Sequence, residues 1–332
     1  MITLSGDIGG TKTRLALVEV SSNRAKIQFE KTFPSREYSG LTEIVRRFLS
    51  EIQDKPTSAG LGVAGPVIGR QCKTTNLPWQ IDAGELEVLL NIPQISLIND
   101  LEAIAWGIPA LTEDQLFTLQ RGTGDGTGNQ LVIAAGTGLG QAGLYWDGAQ
   151  HHPFASEGGH CDFAPSTELE FGLLQFLQQR YSHVSWERVA SGQGLANIYD
   201  FLIEHHQQTT PAWLSEQFSK GDKSAIISST ASADSDPICT EALNLWVKLY
   251  GAEAGNHALK LMAKGGVYLA GGIPPKILEW LKQPLFVEAF QDKGRMSDLM
   301  ASMPIRVILD DRCGLYGPAR YMAERHPGGS DN

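Results

Sequence analysis

Two short glycine-rich segments combine residue types that could bind phosphate. They are Gly6-Asp7-Ile8-Gly9-Gly10-Thr11 and Gly136-Thr137-Gly138, and each lies between two segments of strand-like composition. Successive unhindered N–H groups in such a turn can form an anion-binding concavity, to which Thr11 and Thr137 would add hydroxyl donors. For either turn alone, an ordinary tight hairpin is the simpler explanation. Asp7 favours the phosphate interpretation, because an acid beside phosphates suits a hydrated Mg²⁺ held between them.

Asn99 and Asp100 follow an apolar strand-like segment, residues 95–98. In open α/β sheets, ligands bind where the strands end, so polar side chains at such a position are candidates for a site. Asp100 could act as a general base that accepts a proton from an attacking hydroxyl, while Asn99 orients a neighbouring hydroxyl. The alternative is that the pair caps the helix predicted to follow it.

The segment Glu157-Gly158-Gly159-His160 places an acid and an imidazole on either side of two flexible residues. Such a segment could hold a polar ligand, although a surface turn explains it equally well. Glu187, within Ser185-Trp186-Glu187-Arg188, is uninformative by itself and would ordinarily be a solvated helix residue.

One glycine pattern points to a nucleotide site of another kind and is rejected. Gly138-Leu139-Gly140-Gln141-Ala142-Gly143 matches G-x-G-x-x-G, which marks a dinucleotide site only when a strand precedes it and a helix follows. Here residues 144–146 continue as a strand and the chain then turns at Asp147-Gly148. The sequence also contains no G-x-x-x-x-G-K-[ST], so it is not a Walker-type NTPase.

The hydrophobic pattern predicts strands and helices together, which is typical of an α/β fold. In residues 41–52, apolar side chains recur at helical spacing, with Arg46, Arg47 and Glu51 on the solvent side. The predicted strands are 2–4, 13–20, 59–63, 95–98 and 131–135, and further helices are predicted at 169–180 and 240–264. The two glycine turns and their flanking strands repeat each other in outline, which suggests two related lobes.

The composition excludes several classes of protein. The 332 residues carry 27 basic and 37 acidic side chains, a net charge of −10 that argues against a general nucleic-acid binder. Neither a signal peptide nor a membrane-spanning stretch is recognisable, so no membrane partner is expected. The four cysteines are far apart and form no Cys-x-x-Cys pair, which suits a reducing cytoplasm and excludes structural zinc.

Five motifs in a fixed order resemble the bacterial ATP-dependent glucokinase family. They are Gly6-Asp7-Ile8-Gly9-Gly10-Thr11, Ile98-Asn99-Asp100, Ala135-Gly136-Thr137-Gly138-Leu139-Gly140, Glu157-Gly158-Gly159-His160 and Leu269-Ala270-Gly271-Gly272-Ile273. The resemblance extends over nearly the whole chain. It implies a two-lobed, actin-like ATPase fold of the hexokinase type with a central cleft. The smaller α/β domain would comprise residues 1–110, completed by 305–332, and the larger one residues 111–304.

The resemblance also implies the reaction and its residues. ATP would phosphorylate glucose to glucose 6-phosphate with Mg²⁺, as the first step of glucose use in glycolysis, in a cytoplasmic homodimer. The ATP-binding residues would be Gly6, Asp7, Ile8, Gly9, Gly10, Thr11, Gly136, Thr137 and Gly138, with Gly271 and Gly272 along the adenosine and Asp7 near Mg²⁺ through water. The sugar-binding residues would be Asn99, Asp100, Glu157, His160 and Glu187, with Asp100 as the catalytic base.

Two features bear on which branch of this fold the chain resembles. Lys12 stands where bacterial glucokinases often carry Asn, and lysine at this position is typical of the related repressor/open-reading-frame/kinase family. That family's zinc-binding cysteine cluster is absent, since only Cys161 lies near His160, so the metal-free glucokinase branch fits better. The alternatives are a kinase for another hexose or an amino sugar, and a sugar-sensing regulator on the same fold. Only six residues precede Asp7, which disfavours a regulator with an N-terminal DNA-binding segment.

Overall fold

The structure, a computed structural model, describes residues 2–21, 24–74, 76–124 and 126–325. The chain divides into two units. Unit 1 consists of the described residues of Met1–Leu116, Pro153–Ala155 and Asp310–Asn332, and unit 2 of those of Phe117–His152 and Ser156–Leu309. Residues 326–332, which belong to the predicted C-terminal completion of the smaller domain, lie outside the described residues.

Strands make up the sheets of both units. In chain order they are β1 (Ile2–Ile8), β2 (Lys12–Ser21), β3 (Arg24–Pro34), β4 (Ser58–Val63), β5 (Val67–Ile68), β6 (Gln71–Lys73), β7 (Gln80–Asp82), β8 (Gln94–Asn99), β9 (Leu116–Gln120), β10 (Gln130–Ala135), β11 (Leu139–Trp146), β12 (His151–Ser156), β13 (Gly266–Ala270) and β14 (Ile305–Ile308).

Helices are longest and most numerous in the second half of the chain. They are α1 (Leu41–Leu49), α2 (Ala83–Leu90), α3 (Asp100–Gly107), α4 (Glu168–Gln178), α5 (Glu187–Ala190), α6 (Gly192–His205), α7 (Ala212–Lys220), α8 (Lys223–Ser232), α9 (Pro237–Leu261), α10 (Leu278–Leu281), α11 (Pro284–Gln291), α12 (Ser297–Ser302) and α13 (Cys313–Arg325). Every one of these helices is too short or too polar to span a bilayer.

Unit 1 is built on a five-stranded sheet with the order β3-β2-β1-β4-β8, in which β1 and β2 form an antiparallel hairpin and β1, β4 and β8 are parallel. The predicted apolar stripe of α1 is confirmed, since Ile44, Val45 and Phe48 are fully buried against this core. α13 packs closely on β4, where a Cβ at residue 60 would lie 2.3 Å from the carbonyl oxygen of Pro318, so glycine is required there.

Unit 2 is built on a six-stranded sheet with the order β12-β11-β10-β13-β14-β9. β10 and β11 form an antiparallel hairpin, whereas β10, β13 and β14 are parallel. The long helix α9 covers this sheet with buried aromatic residues, and the hydroxyl of Tyr250 donates to the carbonyl of Ile133 over 2.9 Å. Both units therefore repeat one arrangement, an antiparallel glycine-turn hairpin followed across the sheet by two parallel strands.

One detail of the first glycine segment differs from the sequence prediction. Gly6, Asp7 and Ile8 belong to β1 rather than to the turn, so the turn itself contains only residues 9–11. The strand continues because Ile8 is buried and Gly6 packs tightly against Leu61 on β4, where a Cβ at residue 6 would lie 2.7 Å from that side chain.

Candidate active site

The first glycine turn is held by backbone and hydroxyl contacts. The N–H of Gly9 donates to the carbonyl of Lys12 over 3.0 Å, and the N–H of Ser35 donates to the carbonyl of Thr11 over 3.0 Å. The hydroxyl of Ser35 also donates to the carbonyl of Gly9 over 2.8 Å. Two carbonyls of the turn are thereby used internally, and the side chain of Thr11 stays exposed and accessible to a ligand.

Asp7 is fixed beside this turn by an arginine on the neighbouring strand. Asp7 and Arg14 are directly opposite each other on β1 and β2, with 3.1 Å between Oδ2 of Asp7 and Nη2 of Arg14. Arg14 also reaches Asp311, with 2.8 Å between Nη1 and Oδ2. Burial raises the pKa of the Asp7 carboxyl above its ordinary value, and the charge of Arg14 offsets only part of this effect.

A cavity of about 500 Å³ opens in unit 1 around Asp7. Its other lining residues are Lys12, Arg14, Glu30, Thr32, Asp310, Asp311 and Arg312. Three cations and four acids face this space, so its ligand would be polar. The Asp7 side chain keeps 35% of its surface exposed, which leaves the carboxyl accessible to such a ligand.

Asn99 and Asp100 occupy different positions at the junction of β8 and α3. Asn99 is the helix cap, because its Oδ1 accepts from the N–H groups of Leu101 and Glu102 over 3.0 and 3.4 Å. The amide nitrogen of Asn99 donates to the carbonyl of Gly65 over 3.3 Å. Asp100 is the first helical residue, and its Oδ1 accepts from the N–H of Leu101 over 3.0 Å. The capping function predicted for the pair therefore belongs mainly to Asn99.

The second glycine turn lies beside the predicted adenosine segment. The N–H of Gly136 donates to the carbonyl of Gly138 over 2.9 Å, and the N–H of Gly192 donates to the carbonyl of Gly136 over 2.8 Å. The N–H of Ile273 donates to the carbonyl of Ala135 over 3.1 Å, which fixes Gly271-Gly272 against the end of β10. Gly271 has φ = 89° and passes so close to Ala135 that a Cβ would lie 2.3 Å from its carbonyl oxygen.

Glu187 lies on the second glycine turn, although the sequence offered no reason to place it there. Its Oε2 accepts from the N–H of Leu139 over 3.0 Å, at the first residue of β11. A Cβ at residue 138 would lie 2.4 Å from the same oxygen, so the carboxylate is seated against the glycine backbone. Glu187 therefore stabilises the conformation of the second turn through this oxygen.

Glu157 and His160 lie together on the surface of unit 2. Gly158–His160 form a short 3₁₀ turn, and Oε2 of Glu157 is 3.9 Å from Nε2 of His160. The two side chains are 71% and 61% exposed, so their polar atoms are accessible to a ligand. The backbone of this segment lies on the strand that Glu187 contacts, because a Cβ at residue 159 would lie 2.0 Å from the carbonyl oxygen of Leu139.

Several residues that support these segments were missed in the sequence. Arg14 and Asp311 hold Asp7, Gln141 and Glu253 lie beneath the Glu157 segment, and Gly192 contacts the second turn. Gln141 carried a signal, since it is a long polar residue inside an otherwise apolar strand, and Arg14 directly precedes the apolar run of β2. The partners of these two, Asp311 and Glu253, carried none, because they are distant in the chain. Among residues 2–21, 24–74, 76–124 and 126–325, no group of three or more His, Cys, Asp or Glu side chains is arranged to hold a metal ion.

Comparison with known proteins identifies the family. The family model described as Glucokinase matches residues 4–325. A glucokinase from Nostoc sp. (strain PCC 7120 / SAG 25.82 / UTEX 2576) is 43% identical over an alignment of 335 residues that covers 96% of this chain and 98% of that protein.

Crystal structures agree with the predicted fold class. A glucokinase from an Antarctic psychrotroph is 33% identical with a TM-score of 0.85, covering 97% of this chain and 99% of that one. A ROK family glucokinase from Streptomyces griseus in complex with glucose and AMPPNP is 21% identical with a TM-score of 0.64, covering 97% and 99%, and shares the fold. The hexokinase-type fold class predicted from the motifs is confirmed by these neighbours. The chain belongs to the glucokinase family.

Proposed function

We propose that this chain transfers the γ-phosphoryl group of ATP to the 6-hydroxyl of glucose, producing ADP and glucose 6-phosphate. The observation that carries the proposal is the arrangement around Leu139 in unit 2. Its N–H donates to Glu187, its carbonyl lies against Gly159 between Glu157 and His160, and it directly follows the second glycine turn. A turn suited to phosphate and side chains suited to sugar hydroxyls therefore meet at one strand end. Membership of the glucokinase family supports this reading.

ATP would be bound through the backbone of the glycine segments. Gly136, Thr137 and Gly138 would take phosphate oxygens in unit 2, with Gly271 and Gly272 along the adenosine. In unit 1 the equivalent residues are Gly6, Asp7, Ile8, Gly9, Gly10 and Thr11, among which only residues 9–11 form the turn itself. The presence of AMPPNP, an ATP analogue, in the S. griseus relative is consistent with this assignment.

Glucose would be held by carboxylates, an amide and an imidazole. Glu157 and His160 are exposed and close enough to bind adjacent hydroxyls, while Asn99, Asp100 and Glu187 would supply the remaining contacts. Hydroxyl groups donate well to carboxylates, and a polar site of this kind penalises an analogue that lacks one hydroxyl.

Asp100 would act as the general base. Its carboxylate accepts the proton of the 6-hydroxyl as the oxygen attacks the γ-phosphorus, and the bond from that phosphorus to the β–γ bridging oxygen breaks to release ADP. Because Asn99 does most of the helix capping, Asp100 is not required for that purpose.

The chemistry around Asp7 suits Mg²⁺ bound through water. Mg²⁺ prefers oxygen ligands and usually keeps several waters, and the Asp7 carboxyl faces a cavity large enough for hydrated ions. Arg14 contacts only Oδ2 of Asp7, so the other carboxyl oxygen can accept from a metal-bound water. When bound, Mg²⁺ would neutralise phosphate charge. The homodimer and the cytoplasmic location expected from the sequence remain predictions.

A sugar panel tests the proposed activity. ADP release, coupled to NADH oxidation, is measured with saturating ATP over a range of concentrations of glucose, mannose, fructose, glucosamine, N-acetylglucosamine or N-acetylmannosamine. The proposal predicts the highest kcat/KM with glucose. A higher kcat/KM with an amino sugar would identify a kinase of the alternative class, and glucose binding without ADP release on any sugar would favour a sugar-sensing regulator.

A further inference from the structure

A buried polar pair lies directly beneath the segment that carries Glu157 and His160. Gln141 on β11 and Glu253 on α9 are each 1% exposed, and Nε2 of Gln141 donates to Oε1 of Glu253 over 2.7 Å. Burying an amide and a carboxyl is unfavourable unless their hydrogen bonds are made, so an apolar pair would be the simpler solution here. The proposed catalytic residues do not include either side chain.

The other end of the Gln141 amide contacts the backbone of the Glu157–His160 segment. A Cβ at residue 158 would lie 2.1 Å from Oε1 of Gln141, and a Cβ at residue 159 would lie 2.0 Å from the carbonyl oxygen of Leu139. Both glycines therefore lie flat against β11, at two positions separated by one residue. The height of this backbone above the strand is set by an amide oxygen on one side and a carbonyl oxygen on the other.

Glu253 determines which way the Gln141 amide points. The second carboxyl oxygen of Glu253 accepts from Nδ2 of Asn256 over 3.3 Å, so each oxygen receives an N–H donor. Burial raises the pKa of the Glu253 carboxyl, while Gln141, Asn256 and the charges of Lys260 and Lys293 lower it. A carboxyl that receives two donors requires the amide nitrogen of Gln141 to face it, which turns the amide oxygen toward Gly158.

We propose that Gln141 and Glu253 are positioning residues for the sugar ligands. The pair fixes the backbone of Gly158 and Gly159, and through it the positions from which the Glu157 and His160 side chains reach the sugar. The inference rests on the proposed function, because it requires those two side chains to bind glucose. We assign no direct contact with the sugar or the nucleotide to either Gln141 or Glu253.

Four variants of the full chain test this role, together with Glu157→Gln. Gln141→Leu replaces the amide oxygen with a bulkier methyl group, and Glu253→Leu removes the acceptor that orients the amide. Glu253→Gln keeps an acceptor oxygen for Gln141 and is the conservative rescue. Leu243→Ala is the matched control, because Leu243 is fully buried on the same helix about 15 Å from Glu253 along its axis.

The measurements are the KM of glucose, the KM of ATP, kcat, the calorimetric Kd of glucose and the Tm of each variant. Gln141→Leu and Glu253→Leu are expected to raise the KM and Kd of glucose about tenfold, which is the effect of misplacing one charge-assisted hydrogen bond. The KM of ATP should stay within about twofold of wild type. In Glu253→Gln the KM and Kd of glucose should also stay within about twofold of wild type. Leu243→Ala should lower Tm without changing the KM of glucose. If Gln141→Leu does not fold, Gln141→Asn keeps the amide but is too short to contact Glu253 and Gly158 together.

The outcomes separate this inference from the proposed function. A folded Gln141 variant with wild-type glucose affinity, alongside a Glu157→Gln variant that has lost affinity, overturns the inference and leaves the proposed function intact. If Glu157→Gln also has wild-type kinetics, Glu157 is not a sugar ligand, and the inference fails while glucose phosphorylation itself is retained. Equal increases in the KM of glucose and of ATP, or the same glucose effect in Leu243→Ala, would reduce the pair to a general structural role and overturn the inference.

Discussion

Replacing Asp100 with Asn removes the proposed proton acceptor and keeps the size of the side chain. Oδ1 of Asp100 accepts from the N–H of Leu101 over 3.0 Å, and the amide oxygen of Asn can make the same contact. The capping bonds of α3 come from Asn99 and are not touched by the substitution. The change therefore isolates the basicity of one side chain at an unchanged helix start.

Two magnitudes follow from this geometry. Loss of a general base is expected to lower kcat by about 10²–10⁴, or roughly 3–5 kcal/mol of transition-state stabilisation. Loss of a negative charge from the first turn of a helix is expected to lower stability by only about 0.3–1 kcal/mol. Glucose affinity should fall by less than about tenfold, because the proposed ligands Glu157 and His160 are unchanged.

The assay measures kcat, the calorimetric Kd of glucose and Tm on one preparation of each protein. Glu102→Gln is the matched control, since Glu102 is the other acid in the first turn of α3 and its replacement also removes an acidic side chain from that turn. Lost turnover with retained binding, in Asp100→Asn but not in Glu102→Gln, is the pattern of an interaction made only in the transition state.

A folded Asp100→Asn variant that keeps wild-type turnover would refute the assignment of Asp100 as the general base. The assignment is equally refuted if Glu102→Gln loses as much kcat as Asp100→Asn, because the effect would then come from helix electrostatics. A loss of glucose binding that matches the loss of kcat would make Asp100 a ground-state ligand rather than a base.

Three further predictions concern the acids of the two units. Glu157→Gln should lower kcat/KM for glucose by about 10- to 100-fold, because a charge-assisted hydrogen bond to a hydroxyl becomes a neutral one; unchanged kinetics would remove Glu157 from the sugar site. Glu187→Ala should raise the KM of ATP about tenfold, because the N–H of Leu139 loses its acceptor, whereas Glu187→Gln keeps an acceptor and should change the KM of ATP little. A glucose KM raised equally by both Glu187 substitutions would instead indicate direct sugar binding. Asp7→Asn should raise Tm by an amount that grows as pH rises from about 4 to 8. The raised pKa of Asp7 means that folding favours the neutral form of this carboxyl. The stability that neutral Asp7 gives the wild type is complete below the ordinary pKa of aspartate and is lost as pH rises through the raised pKa. A gain in Tm that does not grow with pH, measured by thermal melts in one buffer series, would contradict this assignment.

Local periodicity predicted the regular elements well. The apolar stripe predicted for residues 41–52 became a helix over Leu41–Leu49, and the helix predicted for 240–264 runs over Pro237–Leu261. These patterns are sufficient because each element buries one face, and that face is encoded within the element. The long strand β3, by contrast, was not predicted, although apolar and polar residues alternate in its first half; Phe33 is the one residue of this strand that is buried.

Contacts between distant residues could not be predicted from periodicity. Glu187 shows nothing in its own neighbourhood that points to a site, yet its carboxylate accepts from Leu139, 48 residues earlier in the chain. Its importance appeared only through resemblance to a family. Similarly, the sequence could not show which of Asn99 and Asp100 caps the helix. The backbone geometry of the β8–α3 junction makes Asn99 the cap and Asp100 the first helical residue.

The two glycine hairpins support their sites in the same way. In each unit the second strand of the hairpin carries a long polar side chain that supports a site segment, Arg14 on β2 and Gln141 on β11. Arg14 joins Asp7 to Asp311, and Gln141 joins the Gly158 backbone to Glu253, so each links a site segment to an acid far along the chain.

This arrangement has a consequence for how the sites are positioned. A phosphate turn and its supporting side chain on one hairpin share the hydrogen-bonded register of that hairpin, so a shift of the strand would move both together. In unit 2 the acid at the far end, Glu253, resists such a shift, because moving it would leave the buried amide of Gln141 without its partner. In unit 1 the side chain of Asp311 is 84% exposed, so its link to Arg14 is weaker. The proposed sugar ligands of unit 2 are therefore fixed through a buried polar link as well as through apolar packing, and that link is stiff because it is costly to break.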